Sequence, residues 1–321
     1  MRQAGRYHQH YQRLRARYSF LQLCQEPELA AQVALGPVQD FGFDTAILFS
    51  DLLFPLAALG MGLEYPVSGP QLGWRLTPEN IGQLRPLEEA WPAMQFQGRA
   101  VRATREILPP ETSLVGFVGG PWTLFGYAVE GSHQGVLAPT KRNLPLFPQF
   151  GEILLPLLLR NIADQLDNGA ELVMIFDTAA GELPPDIFAE EVVPLLARLA
   201  LAFPGRLGYY AKGVQPAHLR HPLFTGGGFA GIGVDYRWAL PEAFELFPRG
   251  FVQGNFDPAL LLLERGECER RVRSYLATLK DIDRTGWVCG LGHGVLPKTP
   301  EDNVRMFVNT VREVLANQAA H

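Results

Sequence analysis

The feature that most constrains the fold of this chain is the alternation of short apolar runs with longer segments of helical periodicity. The short runs are bounded by turn-forming residues, as expected of strands that are buried on both faces. Seven runs are predicted as strands: Thr45–Phe49, Leu114–Val118, Leu172–Phe176, Leu207–Ala211, Gly231–Val234, Phe251–Gln253 and Trp287–Gly290. The predicted helices include Pro27–Phe41, Phe150–Asn168, Asp186–Ala202 and Glu301–Asn317. Strands that alternate with helices in this way indicate a parallel sheet.

We predict a single α/β domain over residues 1–321, folded as a (β/α)8 TIM-type barrel. The 321 residues, of which 47% are hydrophobic, match the usual length of one barrel. No repeat, low-complexity linker or shift in composition divides the chain. Seven strand candidates, with an eighth that the pattern does not reveal, favour a closed barrel over an open doubly wound sheet.

The charge and the cysteines exclude several classes of function. A net charge of -5 provides no overall basic field that would attract nucleic acid or an anionic membrane. The three cysteines lack CxxC spacing, which predicts reduced thiols rather than a disulfide framework. The N-terminal segment lacks the apolar stretch of a signal peptide, and no apolar run is long enough to span a membrane. We therefore expect a soluble, cytoplasmic protein that binds anions through locally placed arginines.

Polar residues follow several of the predicted strands directly. Asp51 comes after the first strand, and Asp177 and Thr178 come after the third. The carboxyl ends of barrel strands surround a common mouth, where such folds place their chemistry. Asp177 and Thr178 are explained equally well as helix N-caps. Asp51 lies between Phe49 and Leu52, where a carboxylate is costly unless donors meet it, either in a buried structural pair or on a ligand that presents N–H groups.

Two glycine-rich segments carry further candidates. Gly116–Leu124 runs from a strand into a turn without a GxGxxG or GK[ST] phosphate pattern, so its glycines are interpreted as allowing a close approach of backbone and a bulky ligand. Tyr127 follows it, either as a core residue or facing the mouth. His293 stands between glycines after the last strand, where an imidazole serves as base, acid or hydrogen-bond donor.

The chain shows no pattern typical of a metal site or a covalent nucleophile. The histidines and cysteines lack metal-ligand spacing, and neither a GxSxG elbow nor a Cys/His signature is present. Arginines, one unusual aspartate, a tyrosine and a histidine favour a reaction that is driven by binding and electrostatics.

Six segments, taken in order, resemble the uroporphyrinogen decarboxylase family: RQAGRY at 2–7, ILFSDLL at 47–53, GFVGGPWTL at 116–124 with Tyr127, MIFDTAAG at 174–181, VQGNFDP at 252–258 and GLGHGVLPKTPED at 290–302. The resemblance runs essentially end to end. It implies a single (β/α)8-type barrel, usually a homodimer whose two clefts face each other. It also implies conversion of the four acetate side chains of uroporphyrinogen III to methyl groups, giving coproporphyrinogen III and carbon dioxide in haem biosynthesis, without a cofactor or metal.

The resemblance assigns roles to the N-terminal motif. It implies that Arg2 and Arg6 contact substrate carboxylates, for which their guanidinium forks are suited. Gln3, Ala4 and Gly5 would shape that loop and offer backbone donors. Arg2 is in addition the candidate for delivering a proton.

The resemblance also assigns roles near the strand ends. Asp51 would accept hydrogen bonds from the pyrrole N–H groups and stabilise the cation that forms when a pyrrole carbon is protonated. That cation is the electron sink that lets carbon dioxide leave. Tyr127, Thr178 and His293 would bind substrate side chains around the rim.

The chain departs from the family pattern at three places. Ala179 stands where a bulkier Trp or His is expected, and Gly290 stands where Asn usually precedes LGHG. Family members carry residues ahead of RQAGRY, whereas Met1 directly precedes Arg2 here. Because an untethered terminus frays, we expect the placement of both arginines to be blurred.

Two other functions are considered beside decarboxylation. One is a zinc-dependent corrinoid:coenzyme M methyltransferase, which would need a His-x-Cys ligand pair that this sequence lacks. The other is a tetrapyrrole-binding protein without turnover.

Overall fold

Seven parallel strands form the centre of the fold. The computed structural model describes residues 3–66, 69–131, 135–280 and 282–319, with side chains as far as residue 316. Within these ranges the strands pair in sequential order: β1 (Thr45–Ile47), β2 (Ser113–Gly119), β3 (Leu172–Phe176), β4 (Leu207–Tyr210), β5 (Gly231–Gly233), β6 (Phe251–Phe256) and β7 (Trp287–Leu291). Each neighbouring pair is parallel. All seven predicted strands are therefore confirmed, with ends that differ by a few residues.

Helices lie before, between and after the strands: α1 (Gln9–Arg15), α2 (Phe20–Gln25), α3 (Pro27–Phe41), α4 (Phe54–Leu56), α5 (Leu87–Ala90), α6 (Phe96–Ile107), α7 (Pro121–Glu130), α8 (Ala138–Arg142), α9 (Phe147–Asp167), α10 (Pro185–Ile187), α11 (Val193–Ala202), α12 (Pro216–Leu219), α13 (Pro222–Thr225), α14 (Leu240–Leu246), α15 (Arg265–Ala277) and α16 (Glu301–Ala319). The predicted helix Pro27–Phe41 is confirmed with the same bounds, because a proline begins it and the left-handed Gly42 ends it. The predicted helix Asp186–Ala202 is instead divided by a π-helical turn over Phe188–Val192.

The closed barrel of eight strands that the sequence predicts is not what the structure shows. In the described part of the chain, β1 and β7 are the two edges of an open sheet. The side chain of Gln3 lies on the open edge of β1, where Nε2 donates to Thr45 O at 2.6 Å and Oε1 accepts from Ile47 N at 3.2 Å. These two bonds bracket Ala46 as the backbone of a parallel neighbour would. One side-chain amide thus replaces part of an eighth strand, which a search for strand-like runs cannot detect.

Alternation along β4 separates the two faces of the sheet. Tyr209 packs on the helical side against Phe224 and Phe229, with ring centroids 5.3 and 5.6 Å apart. Tyr210 faces the opposite side, where its ring meets that of Phe176 in β3 at 6.1 Å. The outer face is therefore core beneath the helices, and the inner face carries Tyr210.

The sheet curls around this inner face. Tyr210 in β4 is hydrogen-bonded to Gly292, which follows β7, although β5 and β6 lie between those two strands in the sheet. Such a contact requires the sheet to bend back on itself. The inner face is therefore concave, and the carboxyl ends of the strands converge at one rim, as in a partly opened barrel.

Candidate active site

Residues 3–7 form a loop that is fastened to the sheet. Gln3 is bonded to β1 as described above, and the hydroxyl of Tyr7 donates to Gln3 O at 2.7 Å. Ala4 and Tyr7 are both buried. The expected fraying is therefore not seen in this stretch, because side chains from within the loop tie it down. Arg2 lies outside the described residues.

Arg6 is the exposed residue of the loop. Two carbonyl oxygens of the loop are hydrogen-bonded to α1 and the residue before it: Gly5 O accepts from His8 N at 3.0 Å, and Arg6 O accepts from Gln12 Nε2 at 2.7 Å. No carboxylate of the described residues lies within 4.0 Å of its guanidinium. The loop thus holds a positive charge toward solvent on a fixed backbone.

Asp51 lies four residues beyond the end of β1, at the carboxyl rim of the sheet. It is half-buried, and its Oδ1 accepts from Leu53 N at 2.9 Å in the turn that leads into α4. Its charge reaches Cys24 of α2, because the pKa of that thiol is raised first by burial and second by Asp51. The carboxylate therefore takes part in the structure of its own turn and lies at the edge of the concave face.

Tyr65 lies next to Asp51, although no sequence pattern singled it out. Its ring packs against Phe20 with centroids 4.6 Å apart. Its hydroxyl is shielded from solvent and makes no hydrogen bond of regular geometry to the described residues. Burial raises the pKa of Tyr65, and the charge of Asp51 raises that pKa further. A buried hydroxyl thus stands close to the candidate catalytic carboxylate.

Tyr127 belongs to the same part of the molecule. It is half-buried on α7, whose first residue follows β2 by two positions. The interaction of Tyr127 with Tyr65 is a further, smaller cause of the raised pKa of Tyr65. The structure therefore brings together Asp51 and Tyr127, two residues that the sequence selected, around a third that it did not.

Asp177 and Thr178 differ in their surroundings. Asp177 is fully buried, and its Oδ1 accepts from both the amide and the hydroxyl of Thr123 at 2.7 Å. Burial raises the pKa of Asp177 to about 6, and the bonds from Thr123 oppose that rise. Asp177 thus joins the start of α7 to the end of β3. The Oγ1 of Thr178 is shielded from solvent without a partner among the described residues, so direct contact with a ligand requires a change of rotamer.

The glycines that precede α7 accommodate protein atoms rather than a ligand. A Cβ at Gly120 would lie 2.3 Å from the side chain of Asp177, and a Cβ at Gly119 would lie 3.0 Å from Leu52 O. The interpretation that these glycines admit a bulky ligand is therefore wrong at these two positions. Their small size lets β2, β3 and the Asp51 turn pack closely.

His293 lies two residues beyond the end of β7, at the carboxyl rim of the sheet. It is half-buried, and its ring stacks on Tyr210 at an interplanar angle of 23° with centroids 6.1 Å apart. Its Nδ1 lies 3.1 Å from the hydroxyl of Tyr210, which also donates to Gly292 O at 2.8 Å. The imidazole is thus held in one orientation by a buried tyrosine.

The described ranges contain no ready metal site and no helix suited to span a membrane. No group of three or more His, Cys, Asp or Glu side chains there is arranged to hold a metal ion. None of the helices in those ranges is long and apolar enough to cross a membrane.

Comparison with known proteins places this chain in a family. Residues 1–314 match the family model described as uroporphyrinogen decarboxylase (URO-D). The chain belongs to the uroporphyrinogen decarboxylase family. The uroporphyrinogen decarboxylase of one Thermus thermophilus strain is 36% identical over 325 residues, covering 98% of this chain and 93% of that protein. That of Anaeromyxobacter dehalogenans is 36% identical over 326 residues, covering 97% and 92%.

Solved structures of other proteins show the same fold as this uroporphyrinogen decarboxylase family member. A methyltransferase from Methanosarcina mazei superposes with a TM-score of 0.74 at 20% identity, covering 92% of this chain and 90% of that one. A B12-independent methionine synthase from Shewanella gives a TM-score of 0.57 at 12% identity, with coverage of 91% and 89%. At such identities the likeness extends to the fold alone.

Two residues near the site of this uroporphyrinogen decarboxylase family member were missed by sequence reasoning. Tyr65 lies in a loop with no periodicity to mark it. Tyr210 lies within the predicted strand Leu207–Ala211, and alternation along a strand does not show which of the two faces it occupies. Only the contact with Gly292 and His293, far along the chain, shows which face that is.

Proposed function

We propose that this protein decarboxylates the four acetate side chains of uroporphyrinogen III to methyl groups, giving coproporphyrinogen III and carbon dioxide in tetrapyrrole biosynthesis. The observation that carries the proposal is the family match over residues 1–314. Relatives at 36% identity that cover nearly the whole chain bear the same name. The enzyme is accordingly a carboxy-lyase.

Asp51 is the centre of the proposed chemistry. Protonation of a pyrrole carbon produces a cation, and the electron pair of the bond to the departing carboxylate then flows into the ring as carbon dioxide leaves. The remaining methylene takes up a proton and becomes a methyl group. The ring carbon then releases the proton that it had gained, which restores the aromatic pyrrole, so each acetate consumes one proton overall. A half-buried carboxylate at the rim meets the pyrrole N–H groups and stabilises that cation, because a fixed charge away from bulk water acts strongly and needs no reorganisation.

The N-terminal loop supplies charge of the opposite sign. Arg2 and Arg6 are proposed to bind substrate carboxylates, and Arg2 remains the candidate proton donor. The amide of Gln3 is engaged with β1, so its role is to hold the loop, together with Ala4 and Gly5, while the backbone of the loop faces the substrate. The fixed backbone around Arg6 supports this division of labour.

The remaining site residues are proposed to bind the periphery of the tetrapyrrole. Tyr127, Thr178 and His293 follow β2, β3 and β7, and strand ends surround one rim in a curled sheet. We further propose a single domain over the whole chain, a homodimer, a cytoplasmic location and a reaction without cofactor, as the family resemblance implies.

The zinc-dependent methyltransferase is the less well supported function. The methyltransferase from Methanosarcina mazei shares the fold at 20% identity, which carries no argument for a shared reaction. The sequence lacks a His-x-Cys pair, and the described ranges hold no group of metal-ligating side chains. The activity assay described next distinguishes decarboxylation from binding of a tetrapyrrole without turnover.

The test is anaerobic incubation of the purified protein with uroporphyrinogen III, followed by chromatography of the oxidised products. We expect porphyrins with seven, six, five and finally four carboxyl groups to appear with time. Tight binding of the porphyrinogen without any product would favour the non-catalytic protein instead. Zinc that copurifies at one ion per chain would favour the methyltransferase.

A further inference from the structure

The hydroxyl of Tyr210 makes two contacts with the segment that follows β7. It donates to Gly292 O at 2.8 Å and lies 3.1 Å from His293 Nδ1. Tyr210 is fully buried, and its ring is stacked on the imidazole. Neither side chain can therefore turn away from the other without loss of packing, so the proton arrangement between them matters for His293.

Tyr210, Gly292 and His293 form one hydrogen-bonded cluster, and the number of protons available to it determines which group donates each hydrogen bond. A hydroxyl has one proton, and a carbonyl oxygen can only accept. If the Tyr210 proton pointed to His293, the lone pairs of Oη and of Gly292 O would face each other at 2.8 Å. The proton therefore lies toward Gly292 O, and Oη accepts a hydrogen bond from Nδ1–H of His293. Burial, followed by the charge of Asp235, raises the pKa of Tyr210, so the hydroxyl keeps its proton.

We propose that Tyr210 is a positioning residue that holds neutral His293 in the Nδ1–H tautomer. In this tautomer Nε2, on the side of the ring away from Tyr210, carries a lone pair. A carboxylate oxygen would be repelled by that lone pair and is bound only when Nε2 is also protonated. This step rests on the proposed function, in which His293 binds a carboxylate of the substrate: binding there takes up a proton.

Other ionisable groups adjoin the same cluster and remain unchanged by the test. Asp235 is buried and accepts from Gly213 N at 2.7 Å and from Arg237 N at 2.9 Å. It also pairs with the Arg237 guanidinium, and Tyr236 lies between them in the chain. The backbone of this segment packs against Gly292. Because these groups are common to the wild type and the variant below, a difference between the two proteins reports on Tyr210.

The first experiment needs no substrate. Long-range 1H–15N NMR on protein with 15N-labelled histidine identifies the protonated ring nitrogen of neutral His293, with signals assigned by their loss in His293→Asn. We expect Nδ1–H in the wild type and a shift toward Nε2–H in Tyr210→Phe, which keeps the stacked ring but removes the acceptor. Tyr209→Phe, on the opposite face of β4, serves as the control and should leave the tautomer unchanged. Nε2–H in the wild type, or an unchanged tautomer in Tyr210→Phe, would overturn the proposal.

The second experiment measures the consequence for substrate. Because binding takes up a proton in the wild type, its KM should rise with pH. The rise should be smaller in Tyr210→Phe by about threefold or more, because its neutral imidazole can donate from Nε2. Parallel KM profiles would contradict the coupling of binding to proton uptake. If the protein does not turn over uroporphyrinogen at all, the proposed function fails, whereas the NMR result still decides the tautomer.

Discussion

The side-chain amide of Gln3 donates to the carbonyl oxygen of Thr45 at 2.6 Å, on the open edge of β1. Its other end accepts from Ile47 N, so a single side chain makes both bonds that a neighbouring parallel strand would make there. The hydroxyl of Tyr7 holds the Gln3 carbonyl in turn. The loop that carries Arg6 is therefore fastened to the strand that leads to Asp51.

We expect Gln3→Ala to lower the free energy of unfolding by about 1–2 kcal/mol, because Ile47 N and Thr45 O lose their partners. The loop should also shift, so KM for uroporphyrinogen should rise by roughly tenfold while kcat changes less. Chemical denaturation and steady-state kinetics measure the two effects. Gln83→Ala, at an exposed position, is the control. An equally small effect of both substitutions would show that the Gln3 amide does not act as a substitute strand.

The sequence was sufficient for the strands but not for the closure of the sheet. The seven strands were predictable because each is a short apolar run that must be buried between helices. The eighth position holds one amide side chain, whose two bonds depend on residues more than forty positions away. Periodicity carries no information about such a contact. The prediction of a closed barrel failed at this position.

The site was predictable to a similar, partial extent. Asp51 was predictable because a carboxylate in an apolar segment is costly unless hydrogen-bond donors meet it. His293 was predictable because glycines flank it after a strand. Tyr65 had no such signal, since its importance comes from folding of its loop against Asp51 and Phe20. The glycines at positions 119 and 120 predict a close approach, but the neighbour that approaches is Asp177 at Gly120 and the Leu52 carbonyl oxygen at Gly119. Only the tertiary structure distinguishes a ligand from a packed side chain there.

Replacement of Asp51 by Asn tests the proposed counter-charge. The Asn oxygen still accepts from Leu53 N, so the fold should persist, whereas the pyrrole cation loses its stabilising anion. We expect kcat to fall about a hundred- to a thousandfold with little change in the midpoint of unfolding. Asp283→Asn is a matched control, because Asp283 accepts from Thr285 N at the same distance of 2.9 Å in a similar turn. Asp283 precedes β7 and therefore lies at the end of that strand opposite to the rim. Loss of folding in Asp51→Asn would mean that the residue is structural.

Tyr65→Phe tests whether the buried hydroxyl assists Asp51. Because the hydroxyl has no hydrogen bond of regular geometry to the described residues, its removal should change the free energy of unfolding by less than about 1 kcal/mol. The dipole beside the carboxylate is lost, so kcat should fall by about tenfold. Tyr18→Phe, in the cluster around α1 and α2, controls for loss of a tyrosine hydroxyl elsewhere. An unaltered kcat would assign Tyr65 to packing alone.

Asp177 should make stability depend on pH in a defined direction. Its pKa is raised from the ordinary 3.8 to about 6 in the folded protein, chiefly by burial. Between these two values the folded state binds more protons than the unfolded state, so the free energy of unfolding falls as pH rises. The stabilisation is fully present below about pH 4 and is lost above about pH 6. A shift of this size corresponds to roughly 1–3 kcal/mol.

Asp177→Asn isolates this contribution, because Asn cannot ionise yet still accepts from both donors of Thr123. We expect the difference in unfolding free energy, wild type minus Asp177→Asn, to become less favourable to the wild type from about pH 4 to about pH 6 and to level off above that. Urea denaturation at several pH values measures it, with the activity assay reporting separately on the site. A difference that stays constant with pH, or that increases, would mean that burial does not dominate the ionisation of Asp177, and that the bonds from Thr123 keep it an ordinary carboxylate.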